Sequence, residues 1–228
     1  MTSPVLNILY EDNHLLAVDK PAGLLTQPTE IENDSLEVQV KLWIKERYQK
    51  PGNVFATVAH RIDKPVSGIV LLAKTSKALS RLNEAMRAKE MQKTYYALVE
   101  GIPKKKQDSL IHFLKHEAHF SSISNKNDRL AKQARLHYET LQEFDKAALL
   151  KINLETGRYH QIRCQLSAIG HPIIGDIRYG AKKGQKILPT LPKNAIALHH
   201  FRLELCHPVT KEPLCLEAVL PSYFNVLP

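Results

Sequence analysis

The sequence is poor in the residues that build covalent or metal frameworks: three cysteines in 228 residues, with one tryptophan and nine glycines. Cys164, Cys206 and Cys215 are odd in number, lie late in the chain and form no C-x-x-C pair. That spacing predicts neither a disulfide framework nor a zinc knuckle, and it fits a reducing, cytoplasmic compartment. His112, His116 and His119 come near helical spacing, but Phe113 and Leu114 point to a strand there, and no cysteine or acid completes a ligand set. No metal is expected. The opening MTSPVLNILYEDNH has no basic run leading into an apolar stretch, so it does not read as a signal peptide. Nor does any apolar run approach the roughly 20 residues needed to span a bilayer. Repeats, low-complexity tracts and a linker are missing too, and residues 1–228 read as a single domain.

Positive charge is what the sequence has in surplus: 32 Lys and Arg face 23 acids, a net charge of +9. Such a surplus attracts polyanions, and nucleic acid is the commonest one a soluble protein meets. The remaining composition, 43% hydrophobic and 24% charged, is ordinary for a chain with a packed core. Strand-like and helix-like stretches alternate irregularly, which predicts a strand-rich α+β domain. Val5–Tyr10 and Leu15–Lys20 read as strands, the second broken by Pro21 and Gly23. Asp34 is placed to cap a helix whose apolar stripe is Leu36, Val40, Trp43, Ile44 and Tyr48. Thr75 or Ser76 caps a second helix, and residues 160–169 suit a short third one. Further strands are expected at Val54–Val58, Ile69–Ala73, Lys93–Glu100, Leu110–Leu114, Gln133–Leu141, Ala147–Leu154, Ala197–Leu205 and Leu214–Leu220. Lys104–Asp108 and Ser124–Asp128 read as exposed polar loops.

Three polar clusters could carry chemistry. His60-Arg61-Ile62-Asp63-Lys64-Pro65-Val66-Ser67-Gly68 lies between two apolar strands, so its backbone is tied at both ends. Charges pinned there cost desolvation unless they face a cleft or are paired. On local sequence alone the plainer reading, a surface turn in which Asp63 pairs with Arg61 or Lys64, is the stronger. Glu155-Thr156-Gly157-Arg158-Tyr159-His160-Gln161-Ile162-Arg163 places a tight turn at Gly157 before a helix. On that helix His160 and Arg163 share a face that offers donors to phosphate or carboxylate, or simply to solvent. In Lys93–Val99 alternation sets Lys93, Tyr95, Ala97 and Val99 on one face and Tyr96 and Leu98 on the other. A tyrosine beside a cation can stack an unstacked base, although strand tyrosines more often only pack. One of His199 and His200 is expected to be buried and structural.

Together the clusters resemble the RluA-type pseudouridine synthases. His60-Arg61-Ile62-Asp63 with Ser67-Gly68 and Ala73-Lys74 is similar to that family's signature around its catalytic aspartate. Lys93–Gly101 and Gly157–Arg163 are similar to its second and third motifs, and Gly170–Asp176 follows in the family's order. Asp19–Leu24 near the start, and Leu198-His199-His200 with His207-Pro208 near the end, match as well. Two departures stand out: Val66 replaces the usual threonine, and Cys164-Gln165 stands where a histidine often follows Arg163. Neither removes a group assigned to chemistry.

The resemblance implies an α+β fold with a mixed, mostly antiparallel sheet in two halves, flanked by helices, around a central active-site cleft. It implies isomerisation of uridines in ribosomal or transfer RNA, without a cofactor, after the base is flipped out of its stack. Asp63 would be the catalytic carboxylate, Tyr95 would lie against the extruded uracil, and Arg163 would pair with Asp63 and aim it. Arg61 would fill the vacated space, His60 would shape the loop, and Lys93, Arg158 and His160 would support the loop or hold phosphates. The resemblance further implies a monomer of the compact kind, since the first strand is read within the opening ten residues. Two other readings remain open at this point. One is a non-enzymatic RNA-binding protein, and the other a ribonuclease using His60 and His160.

Overall fold

Alternating and continuous apolar runs shape the chain from its first described residues. The computed structural model describes residues 4–182 and 184–225. Strand β1 (Ile8–Glu11) pairs with β2 (Leu15–Lys20), and helix α1 (Leu36–Arg47) follows. A two-residue β3 (Thr57–Val58) leads through the Asp63 loop into β4 (Ser67–Ala73), then α2 (Ser76–Arg87). Next come β5 (Gln92–Glu100), β6 (Gln107–His116), β7 (Ser121–Ser124), β8 (Lys132–Glu143) and β9 (Ala147–Leu154). After α3 (Gln161–Ala168) lie β10 (Leu198–Cys206) and β11 (Pro213–Glu217).

The chain divides into two compact units. The first takes in the chain up to Met91 together with His200–Val219. Its strands run in the order β1-β2-β4-β10, with β3 also on β4 and β11 on β10. All seven residues of β4 are buried, as are Leu15–Val18 of β2, so these strands are covered on both faces. Ala78 and Leu82 of α2 close over Leu15, Ala17, Ile69 and Leu71 to form the core of this unit. The second unit, Gln92–His199 with the chain from Leu220, carries the order β5-β9-β8-β6-β7 in antiparallel pairs. Its buried face presents Leu110 and Leu114 from β6, Leu136 and Tyr138 from β8, and Leu150 and Ile152 from β9. Gln165 pins α3 to that sheet by donating to the carbonyls of Leu110 (3.1 Å) and Ala134 (3.4 Å).

Several boundaries differ from the sequence expectation. Ser35, not Asp34, caps α1: its Oγ accepts from the Val38 N–H, while Asp34 takes a bond from Gln39. Trp43 is only half-buried and Tyr48 is exposed, and the helix buries Glu37 instead. Glu37 accepts from Lys41, Gln27 and the Val58 N–H, which holds its carboxyl below the usual range against the opposing effect of burial. Val54–Val58 shrinks to β3, Gln107 and Asp108 belong to β6, and β7 lies where no strand was expected. Both His199 and His200 are fully buried, not one of them.

Candidate active site

The Asp63 loop is held by its neighbours in the first unit. Asp63 is half-buried at a turn closed by the Val66 N–H on its carbonyl (3.0 Å). Thr26 Oγ1 donates to the Ile62 carbonyl at 2.6 Å, and the Gly23 N–H donates to that of Lys64 at 2.7 Å. Lys20 lies beneath, fully buried, its Nζ donating to the carbonyls of Pro21 (2.8 Å), Leu24 (2.7 Å) and Lys64 (3.3 Å). Three acceptors match the three N–H bonds of an ammonium. Burial pulls Lys20 down to about 7, and the charges of Asp63 and Asp19 oppose the fall. A titratable amine is thus buried within electrostatic reach of Asp63. Lys20 stands in a motif visible in the sequence, but its role is not visible there, because only the folded loop shows where its ammonium goes.

His60 is buried, its Nε2 accepts from the Leu71 N–H (3.3 Å), and its ring meets that of His200 edge-on at 5.3 Å. Arg61 is exposed. Lys64, a possible partner for Asp63 in the surface-turn reading, instead pairs with Glu32 (2.8 Å to Oε1). Val66 is buried, so the position taken by the missing hydroxyl is an apolar one here.

In the second unit, β5 carries Lys93 and Tyr95, with Tyr95 buried opposite Ile152. Burial pulls the Lys93 ammonium below its usual range. Gly157 does not make the expected turn. His160 adopts the left-handed backbone (φ 51°) and precedes α3, so it does not share a helical face with Arg163. Its ring lies under Tyr159 at 3.9 Å, and its Nδ1 bonds the Tyr179 hydroxyl at 3.0 Å. Burial pushes that hydroxyl up to about 12, so it keeps its proton. Both histidines of the ribonuclease reading are therefore engaged in holding structure. Arg158 is exposed, with Nε on the Gln133 carbonyl (3.0 Å).

Arg163 is the most constrained cation. Its Nε and Nη2 grip Asp176 at 2.7 and 2.9 Å, both side chains being almost wholly buried, and its guanidinium lies over the Tyr179 ring at 5.0 Å. Parallel charge-assisted bonds of this kind fix orientation as well as charge. Asp176 belongs to a motif recognised in the sequence, yet its pairing with Arg163 was missed. Thirteen residues separate the two, and no local pattern signals such a contact. Burial pushes the Cys164 thiol up to about 11, so it stands as a neutral packing group beside Arg163 in sequence.

These two α+β units, with a clamped aspartate loop in one and a locked arginine in the other, form the fold of a pseudouridine synthase. A solved human structure, RNA Pseudouridylate Synthase Domain Containing 4, matches 96% of the chain and 90% of its own length with a TM-score of 0.82 at 22% identity. The chain belongs to the RNA pseudouridylate synthase family, whose sequence profile matches residues 14–168. It is 35% identical over 223 residues to Ribosomal large subunit pseudouridine synthase D of Nitrosomonas europaea, covering 95% of this chain and 62% of the relative. It is 31% identical to tRNA pseudouridine synthase C of Pectobacterium carotovorum, covering 94% of this chain and 59% of that one. The chain thus spans about three fifths of the length of these two relatives.

Proposed function

We propose that this protein isomerises particular uridines of ribosomal or transfer RNA to pseudouridine, with Asp63 as its catalytic carboxylate. The observation that carries the reading is the Asp63 loop. It lies inside the residues the family profile matches, and three hydrogen bonds, one each from Lys20, Gly23 and Thr26, hold its backbone. Rigidly held loops are where reacting groups are positioned. In the reaction the bond from ribose to the uracil nitrogen breaks, the base turns, and a bond to a uracil carbon forms. A carboxylate can serve that junction as nucleophile or base. Tyr95 lies against the flipped uracil, and Arg163, fixed by Asp176, supplies an oriented cation. His60 and His160 hold the loops of the two units, while Arg61, Arg158 and Lys93 meet RNA or support those loops. The whole chain works as one catalytic domain, a cytoplasmic monomer.

Pseudouridine mapping by carbodiimide labelling and sequencing tests the reading, using cells with and without this protein. One or more uridines should lose their modification in its absence and regain it with wild type but not with Asp63→Asn. RNA affinity of Asp63→Asn should stay near wild type, because phosphate contacts dominate binding. Full activity in that variant would end the proposal.

A further inference from the structure

An open groove of about 320 Å³ lies on the second unit beside α3, on residues that none of the roles above uses apart from Tyr179. Phe120 and Ile123 line it from the β6–β7 turn and β7, Cys164 and Ser167 from α3, and Arg178 and Tyr179 from the short turn of 3₁₀ helix that follows. Phe120 is 45% exposed and Ile123 43%, so both apolar side chains reach solvent at the groove. Arg178 is also exposed, and its Nη1 donates to the His119 carbonyl at 2.8 Å, which leaves four of its five N–H donors for other acceptors.

We propose that this groove is an accessory subsite that stacks one unpaired nucleotide of the RNA substrate on Phe120 and holds its phosphate with Arg178. The inference rests on the RNA reading of the previous section and goes beyond it. Four observations support it. The volume, at the low end of small-ligand sites, suits a single nucleotide and excludes a duplex. An exposed aromatic ring next to a guanidinium is the pairing by which proteins take up unstacked bases. Charge favours a polyanion over a plain apolar peptide: residues 115–135 hold five Lys and Arg against two Asp and Glu. Both of those acids face Lys115, so the surplus around the β6–β7 turn is a real one.

The fourth observation concerns Tyr179, which lines the groove and also lies under the Arg163 guanidinium. Its hydroxyl bonds His160 and accepts from the Ser121 N–H at 2.7 Å. A nucleotide in the groove therefore sits one side chain from the arginine of the proposed site, as a neighbour of the target uridine would. The side-chain hydroxyls of the floor are engaged, Ser167 donating to the Tyr179 carbonyl at 2.6 Å. With those hydroxyl protons committed, the floor offers a base edge acceptors only, and the face carries most of the contact.

Fluorescence anisotropy of the full chain with a fluorescein-labelled, single-stranded RNA dodecamer of mixed sequence tests this at one fixed salt concentration. Phe120→Ala should weaken binding about five- to a hundredfold, the usual worth of a lost stacking platform. Phe120→Trp should restore it to within about twofold. Arg178→Ala should weaken binding and make its salt dependence shallower by about one phosphate contact. RNA carrying 5-iodouridine should cross-link to the peptide containing Phe120. Phe120→Ala binding within twofold of a wild type that itself binds would overturn the subsite, and so would cross-links confined to other peptides. An acidic apolar peptide displaced by Phe120→Ala when RNA is not would overturn it in favour of a protein partner. Wild type that binds the dodecamer through Phe120 but leaves every cellular uridine unmodified would sink the proposed activity and leave the subsite standing.

Discussion

At Lys20, Arg163 and His199, three groups that prefer water are buried, and each is handled differently. Lys20 meets three carbonyls, Arg163 meets a carboxylate, and His199 gives up its charge. Burial pulls His199 down to about 4 from the usual 6.5 of imidazole. The folded protein therefore keeps this ring neutral down to about pH 4, while the unfolded chain takes up a proton below about pH 6.5. Between those values the unfolded state binds more protons, so stability is lost as pH falls. The loss should reach on the order of 3 kcal/mol by pH 4. Urea unfolding across that window should show a flatter acid limb in His199→Gln than in wild type. Equal slopes would mean that another group governs acid stability.

Among the elements, β4 is the one on which the Asp63 loop depends, since the loop opens directly into it. Its second residue, Gly68, has φ +113°, and a Cβ there would come within 3 Å of the His200 backbone in the same unit. That obstacle is made of backbone, which cannot swing aside. Gly68→Ala should cost at least about 3 kcal/mol in urea unfolding, from strain and clash together. A variant that melts like wild type would show that this strand can move away from β10. The glycine's place in the motif was visible in the sequence, but its reason was not. Likewise the third helix was readable in the sequence up to its stop at Gly170, whereas His160 taking the left-handed turn was not. Gly157 was the natural candidate, and packing of His160 on Tyr159 and Tyr179 decided otherwise.

Across the whole molecule the surplus of charge is unevenly spread, and residues 104–135 carry much of it. If that surplus serves RNA, affinity for a single-stranded oligonucleotide should fall linearly on a log–log plot against salt. The slope should be about −0.7 for each phosphate neutralised, so several contacts predict a value steeper than about −2. A slope near zero would mean that the basic surface serves another purpose. Asp63 belongs to one unit and Tyr95 and Arg163 to the other.

The sequence by itself determined the α+β class, most strand and helix positions, and the family, because apolar periodicity and short motifs are local properties. Leu15–Lys20 and Ala147–Leu154 form strands at the bounds expected from their patterns. Tertiary structure alone decided which groups hold the motifs in place: Lys20 under the Asp63 loop, Asp176 on Arg163, Tyr179 between His160 and the groove. It also brought Phe120 and Arg178, 58 residues apart, to one depression. Such partners depend on strand order and register. Those are set by burial summed over each unit, and no window of neighbouring residues contains them.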